Sequence, residues 1–553
     1  MDEMKKPQKS FLELIFLLAV LLSLFSLSSS QQRPLTKAEA SNFNATSLYA
    51  DVREFMAELE RQNSLLRVEI LAKSPQGRDV PLLIIGDPPP ASPRALKYDK
   101  RGTIYIQANI HGGEVEGKEA CLMLARDIIL AQKPPYLDKL VILIAPIFNT
   151  DGNEKISSEN RRSQAGPEKG VGVRHNGQNL DLNRDSMKLE SPELQGLVQN
   201  VLERWDPLLL VDCHTTNGSY HEEPVTYSWP LNPNGDQTII SYMREKMLPA
   251  IDSGLKEKYN TLSIPYGDFV DARDPEKGWQ TFSAQPRYVT NYIGLRNRLS
   301  ILNENYSYAD FKTRVFGCYN FLLSILDYCQ SHLEEISNLV AQADNHSIQK
   351  GINSLEKASF ATEFEAKAFP EKLSVQSWEM EVIPREGTWP EVKKKETKRT
   401  YTLPYFADFA PKRTVFFPAA YLLTVSDPEI IAKLHQHGLV VEKLREEVSL
   451  EVESFRIKEI KSAERLYQGH RLNKLSGEYV LEKRLFPRGT IIVSTSQPLA
   501  NLAAYLLEPE SDDGLIVWNF FDRYLIPQWG GGFEVCPVHK LLKPTNLVKE
   551  ILR

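Results

Sequence analysis

Tyr105-Ile106-Gln107-Ala108-Asn109-Ile110-His111-Gly112-Gly113-Glu114 is the stretch whose reading decides the fold. An apolar run rich in Ile ends on a His and a Glu three residues apart, with two glycines between them and a helical pattern beginning at Glu116. A strand end delivers metal ligands into a crevice in this way, because ligands of open α/β sheets gather beyond the carboxyl ends of the strands. His-x-x-Glu alone is a weak signal, since the spacing arises by chance in many proteins. Its position after a strand gives it weight, and the rest of the chain must supply the missing parts.

Outward from that stretch, segments of strand, loop and helix alternate. Residues 37–63 read as a polar-faced helix, and 68–71 and 80–86 as two short strands joined by the turn Ser74-Pro75-Gln76-Gly77-Arg78. Strand 103–110 leads to the opening motif and helix 116–132 leaves it. Residues 140–148 form a continuous apolar run, as in a strand buried on both faces, and end in the turn Asn149-Thr150-Asp151-Gly152. A polar, Gly-rich loop of functional length follows and closes on Leu180-Asp181-Leu182-Asn183-Arg184-Asp185. Ser191-Pro192 then caps another helix, and the short strand 208–212 ends near His214. This alternation predicts an α/β fold: a mixed, mostly parallel, doubly wound sheet with helices on both faces. From about residue 350 the apolar alternation has the period of strands, which predicts a β-rich C-terminal domain. The expected organisation is residues 1–30 as a signal peptide, 31–345 as a catalytic domain and 346–553 as the β-rich domain.

Bulk properties agree with a multi-domain globular protein. The chain has 553 residues, 42% hydrophobic and 25% charged, and a formal net charge of -6; its length exceeds what one core supports. That charge gives no reason to expect nucleic acid. Lys5, Lys6 and Lys9 precede an apolar run at 11–27 and then three serines, the layout of a cleaved secretory signal. The expected protein is therefore exported, periplasmic or extracellular, with no stable membrane span after cleavage; an uncleaved anchor is the alternative. Five cysteines form no dense framework, and Cys318 and Cys329 sit on one helical pattern where a bridge is doubtful, so they read as structural thiols. Asn-x-Ser/Thr sequons at Asn44, Asn217, Asn305 and Asn345 include two beside candidate site residues, where a glycan would obstruct a crevice; a bacterial source fits better.

A catalytic zinc needs three neutral or anionic protein ligands and one open position. His111, Glu114 and His214 satisfy this from strand ends of one expected sheet. Cys213 should face the other side of its strand. A carboxylate is also needed to move the proton from water to the leaving amine, and Glu304, closing the apolar run 299–303, is a candidate.

The set His111-x-x-Glu114, Asp181-Leu182-Asn183-Arg184, His214 and Glu304 is similar to the zinc carboxypeptidase family typified by carboxypeptidase A, over about residues 45–335. Ser74 to Arg78 resembles the family's early S-x-x-G-R turn, and Asn149 to Gly152 its N-P-D-G turn with Thr150 in place of Pro. The resemblance implies one Zn2+ bound by His111, Glu114 and His214, with Asp181 orienting the ring of His111. It implies that Asn183 and Arg184 hold the C-terminal carboxylate of a peptide, and that Glu304 is the general base and acid. The family's oxyanion arginine falls in a window holding Arg161, Arg162 and Arg174, of which Arg162 is preferred. Its mobile tyrosine corresponds best to Tyr292. The implied activity is that of a metallocarboxypeptidase acting on peptides with a free carboxylate. An amidase or deacylase of the same architecture and a binding protein with a vestigial zinc site are the alternatives. Neither the preferred side chain nor the oligomeric state is written in any motif.

Elsewhere the bland readings prevail. His435 and His437, next to Gly438, read as surface residues at a helix end. Trp529-Gly530-Gly531-Gly532 reads as a tight loop, and Glu508-Pro509-Glu510-Ser511-Asp512-Asp513 as a solvated acidic turn.

Overall fold

Among the described residues, ten short strands precede residue 307: β1 (Leu66–Lys73), β2 (Asp79–Ile85), β3 (Gly102–Ala108), β4 (Leu140–Ala145), β5 (Leu209–Thr216), β6 (Val225–Ser228), β7 (Ser263–Pro265), β8 (Asp268–Phe269), β9 (Trp279–Gln280) and β10 (Leu299–Tyr306). The computed structural model describes residues 33–96, 99–216, 218–353, 358–385 and 390–552. The signal-like residues 1–30 and the Asn217 sequon lie outside them.

Eight of these strands form one sheet in the order β1-β2-β4-β3-β5-β10-β6-β7. Its centre is parallel, β4 with β3, β3 with β5 and β5 with β10, while the β1–β2, β2–β4 and β10–β6 pairings are antiparallel. Period-two side-chain alternation gives each central strand two apolar faces. Ile104, Ile106, Ile142, Ile144 and Val211 turn to one core, shared with helices Glu116–Ile129 and Phe311–Ser331. Tyr105, Val141, Leu143 and Leu210 turn to a second. That second core continues without a break into Tyr421, Leu502, Tyr505 and Trp518, far along the chain. The expected mixed α/β sheet and the β-rich C-terminal region are both present.

The join between the two regions is more intimate than the sequence implies. The expected boundary at 345/346 falls inside helix Leu333–Asn353. Strands β11 (Ser359–Ala368), β12 (Leu373–Ile383), β13 (Glu391–Leu403) and β14 (Tyr405–Phe416) follow, and β11 and β14 complete a four-stranded sheet with β8 and β9. Residues on either side of the expected boundary thus share one hydrogen-bonded sheet. β12 and β13 form a separate ribbon, and a seven-stranded sheet lies within residues 420–551.

Several local expectations change. The single helix at 37–63 is two, Lys37–Ala40 and Tyr49–Gln62. Asn42 and Phe43 between them adopt left-handed backbone at φ 51° and 62°, which a continuous right-handed helix cannot hold. Strand 208–212 extends to Thr216, so His214 lies within β5 rather than past its end. All five cysteines are free and buried. Among the described residues no helix is long and apolar enough to cross a membrane.

Candidate active site

The opening motif leaves β3 through Asn109, whose φ of 64° sharply turns the chain. Asn tolerates that region because its short polar side chain can bond locally. Asn109 Nδ2 does so, donating to the carbonyls of His111 (3.3 Å), Gly112 (3.2 Å) and Glu114 (2.9 Å). Gly112 is required for a second reason: a Cβ there would lie 2.4 Å from the backbone N of Asn153. The two turns read from the sequence meet behind this loop, where buried Asp151 accepts from Ser74 Oγ and Arg78 Nη1, each at 2.8 Å.

The motif loop brings His111 and Glu114 against β5. His111 Nδ1 lies 2.9 Å from Glu114 Oε1, and His214 Nδ1 lies 2.9 Å from Glu114 Oε2. The ligand atoms of all three residues lie within 4.8 Å of one another, and all three are buried. Each ring turns its other nitrogen to a carboxylate: His111 Nε2 lies 3.1 Å from Asp181 Oδ1, and His214 Nε2 2.9 Å from Asp212 Oδ2. The carboxylate hydrogen-bonded behind His111 fixes its tautomer and leaves Nδ1 free to ligate, and Asp212 stands at ion-pair distance behind His214. Two imidazole nitrogens and one carboxylate, buried and convergent, are a donor set that fits catalytic zinc. Asp212 escaped the sequence reading, although a residue two before a ligand in a strand must share its face.

Glu304 reaches the site by register. In the parallel β5–β10 pairing it is the direct partner of His214, so both side chains stand on one face of the sheet. Its Oε2 is buried with no protein hydrogen-bond partner. Burial pushes its carboxyl up to about 8, against the pull of His214 and in concert with the charge of Glu114. Burial also opposes ionisation of Glu114, but His111 and Arg161 outweigh it and hold that carboxyl well below the usual range. Asp181 behaves alike: burial opposes its charge, and His111 and Arg174 hold its carboxyl far down. Two carboxyl groups with opposed environments are the arrangement that separates an acid–base group from a ligand.

A cleft of about 540 Å³ opens over these groups. It is lined by His111, Glu114 and Glu304 together with Asn183, Arg184 and Tyr288, and Arg161 and Arg174 are among its walls. The guanidinium of Arg184 lies 4.1 Å from the centroid of the Tyr288 ring, and its Nη1 donates to the Asn183 carbonyl at 2.7 Å.

Two expected residues are elsewhere. Arg162 is 77% exposed, pairs with Glu159 and is absent from the lining of this cleft. The neighbouring Arg161 turns inward instead, its φ of 49° reversing the chain direction, and bridges Glu114 Oε1 (3.0 Å) and the Thr215 carbonyl (2.9 Å). Arg174 also faces the cleft, held by its Nε to Asp181 Oδ2 at 2.7 Å. Tyr292 is buried one helical turn beyond Tyr288, in the second core, with its hydroxyl 2.9 Å from His437 Nδ1. It is therefore Tyr288 that lines the site. His437, expected on the surface, is fully buried and also contacts the Met187 carbonyl through Nε2 at 3.0 Å. The Asn305 sequon is buried in β10, out of reach of a glycan.

Residues 52–209 match the family model described as zinc carboxypeptidase. That span contains His111, Glu114, Asp181, Asn183 and Arg184, while His214 and Glu304 join them through the sheet. "Carboxypeptidase 2" of Trichophyton rubrum is 23% identical over 501 residues, covering 85% of this chain and 84% of that protein. Its namesake in Trichophyton equinum is 22% identical over 499 residues, with the same coverage. These curated relatives are fungal, and the bacterial source inferred from the sequons gains no support from them. Among solved structures, carboxypeptidase A from Helicoverpa armigera superposes with a TM-score of 0.38 at 15% identity, covering 58% of this chain and 81% of that one. With the metal-binding triad in place and the family model matched over the span that supplies His111 and Glu114, the chain is similar to the zinc carboxypeptidases and is an enzyme with zinc as its cofactor.

Proposed function

We propose that this protein is an exported metallocarboxypeptidase that removes the C-terminal residue of peptides. The observation that carries the reading is the shared cleft: Glu304, His111 and Glu114 of the metal-binding triad, and Arg184 all line it. When held by that triad, a zinc ion supplies Lewis acidity that acidifies water and polarises a carbonyl.

The chain's own residues do the rest. Arg184, stacked on Tyr288 and braced by the Asn183 carbonyl, presents a planar fork to the substrate's free carboxylate. That contact fixes the last peptide bond over Glu304. Glu304 accepts the proton of the attacking water and returns it to the leaving amine, the work of a carboxyl group lifted toward neutrality by burial. Arg174, engaged through Nε, offers its remaining guanidinium donors to the negative charge growing on the carbonyl oxygen; all three nitrogens of Arg161 are already committed, to Glu114, Gln164 and the Thr215 carbonyl. Export rests on the basic and apolar residues 5–30, and Edman sequencing of the secreted protein would begin near residue 31.

Glu304→Gln tests the assignment. Zinc content should stay at one per chain while kcat falls by about 10²–10⁴-fold. Retained turnover in this variant, or a wild-type protein that binds no zinc, overturns it.

A further inference from the structure

The cleft wall carrying Ser283, Tyr288 and Thr290 is gripped from two sides. From the catalytic sheet side, Asn183 Oδ1 accepts from the Val289 backbone N at 2.9 Å. From the C-terminal region, Asp513 accepts from the backbone N of Arg287 at 2.7 Å through Oδ2 and from its Nη2 at 2.9 Å through Oδ1. Trp518 Nε1 also donates to Asp513 Oδ1 at 2.9 Å. The Arg287 guanidinium lies against the rings of Tyr467 and Trp518, 5.3 and 5.0 Å from their centroids. The acidic turn read as solvated in the sequence is thus buried here, with Asp513 fully enclosed and Arg287 6% exposed.

This ion pair is an expensive way to hold two surfaces together. A buried pair loses hydration that its mutual attraction only partly restores, so apolar packing stabilises as well or better. Geometry is what it contributes. One carboxylate takes both the main-chain and the side-chain donor of a single residue, which fixes the orientation of residue 287 and so the direction of Tyr288, the next in the chain. A second contact from the C-terminal region reaches the site: Gln468 Oε1, on a turn with left-handed backbone, accepts from the backbone N of Asp181 at 2.7 Å.

We infer that the C-terminal region sets the enzyme's affinity for the substrate carboxylate: Asp513, acting through Arg287, positions Tyr288 so that its ring holds the Arg184 guanidinium ready to bind. Asp513 and Arg287 are positioning residues, and the inference rests on the reading of Arg184 as the carboxylate clamp. A guanidinium stacked on a ring and held in its binding geometry loses less freedom when the carboxylate arrives.

The test uses steady-state kinetics of the full-length, zinc-loaded protein on a peptide with a free C-terminus, with the corresponding amide assayed as substrate or competitor. Asp513→Asn should raise KM for the free peptide by about ten-fold, leave kcat and zinc content close to wild type, and not change the affinity for the amide. A merely structural defect would lower the fraction of active enzyme and leave KM alone. Tyr288→Leu, which strands no buried charge, should reproduce the rise in KM, and it decides the matter if Asp513→Asn does not fold. The inference is overturned if the KM of the folded variants stays at the wild-type value, or if affinities for free peptide and amide weaken equally. Failure of the underlying reading is distinguishable, because then the wild-type protein itself would not discriminate the free peptide from the amide.

Discussion

The two sides of the cleft are built by different means. The metal side is assembled by a sheet: His214 and Glu304 are cross-strand partners, and His111 and Glu114 sit on a loop tied to the end of β3 by Asn109. The carboxylate side is assembled by loops and by a distant part of the chain: Arg184 leans on Tyr288, which follows Arg287, which is held by Asp513. Hydrogen-bonded register fixes the first side to within the geometry of a ladder. The second depends in part on the Arg287–Asp513 contact, between residues 226 positions apart.

That contrast can be tested in descending order of effect. His214→Ala removes a ligand that the sheet holds in place, so zinc should be lost and turnover should fall to background, measured as metal content alongside rate. Arg174→Ala should retain zinc and lower kcat by about 10²–10³-fold, the usual consequence of losing an oxyanion donor. Arg162→Ala, on an exposed side chain paired with Glu159, should leave both kinetic constants at wild-type values; a loss there as large as that of Arg174→Ala would reverse the assignment.

A smaller effect concerns the joint between the regions. His470 of the C-terminal region lies 2.8 Å from Glu190, near the carboxylate side. Burial opposes the charge of Glu190, but His470 and Lys188 hold its carboxyl down at about 2. The bond to Glu190 lifts His470 above its ordinary 6.5, with burial opposing. The Glu190 contribution is therefore present above its unfolded value near 4.5 and lost as pH falls toward about 2. The His470 contribution is complete below 6.5 and lost as pH rises through its lifted value. The Tm difference between wild type and His470→Ala should accordingly be greatest between pH 4.5 and 6.5 and should shrink in alkaline buffer; a difference independent of pH would remove the ion pair from the account.

The same contrast explains what was legible in the sequence. Strand periodicity and the order of His111, Glu114, Asp181, Asn183, Arg184, His214 and Glu304 point to a metal side and to the proposed clamp, because each residue there belongs to a local motif or a strand. Register, which makes Glu304 the neighbour of His214, is a pairing between segments ninety residues apart and leaves no local trace. Arg161 and Arg162 are adjacent in one loop and look alike until backbone direction is known; Arg161, at a left-handed φ of 49°, is the one that reaches Glu114. Tyr288 and Tyr292 lie one helical turn apart, and only the packed core shows that it is Tyr292 that faces His437. The acidic turn at 508–513 reads as solvated because its partners, Arg287, Tyr421 and Tyr479, lie outside its own stretch of sequence.

The central claim is that the clamp side reads a free carboxylate for chemistry done on the metal side. Comparing kcat/KM for one peptide with a free C-terminus and with an amidated one measures this directly. The free peptide should be preferred by about 10²-fold, as expected when a charge-assisted, bidentate contact is available to only one of them, and Arg184→Ala should erase the preference. Equal hydrolysis of the two peptides by the wild-type enzyme would contradict the account and identify the protein as an amidase of the same architecture.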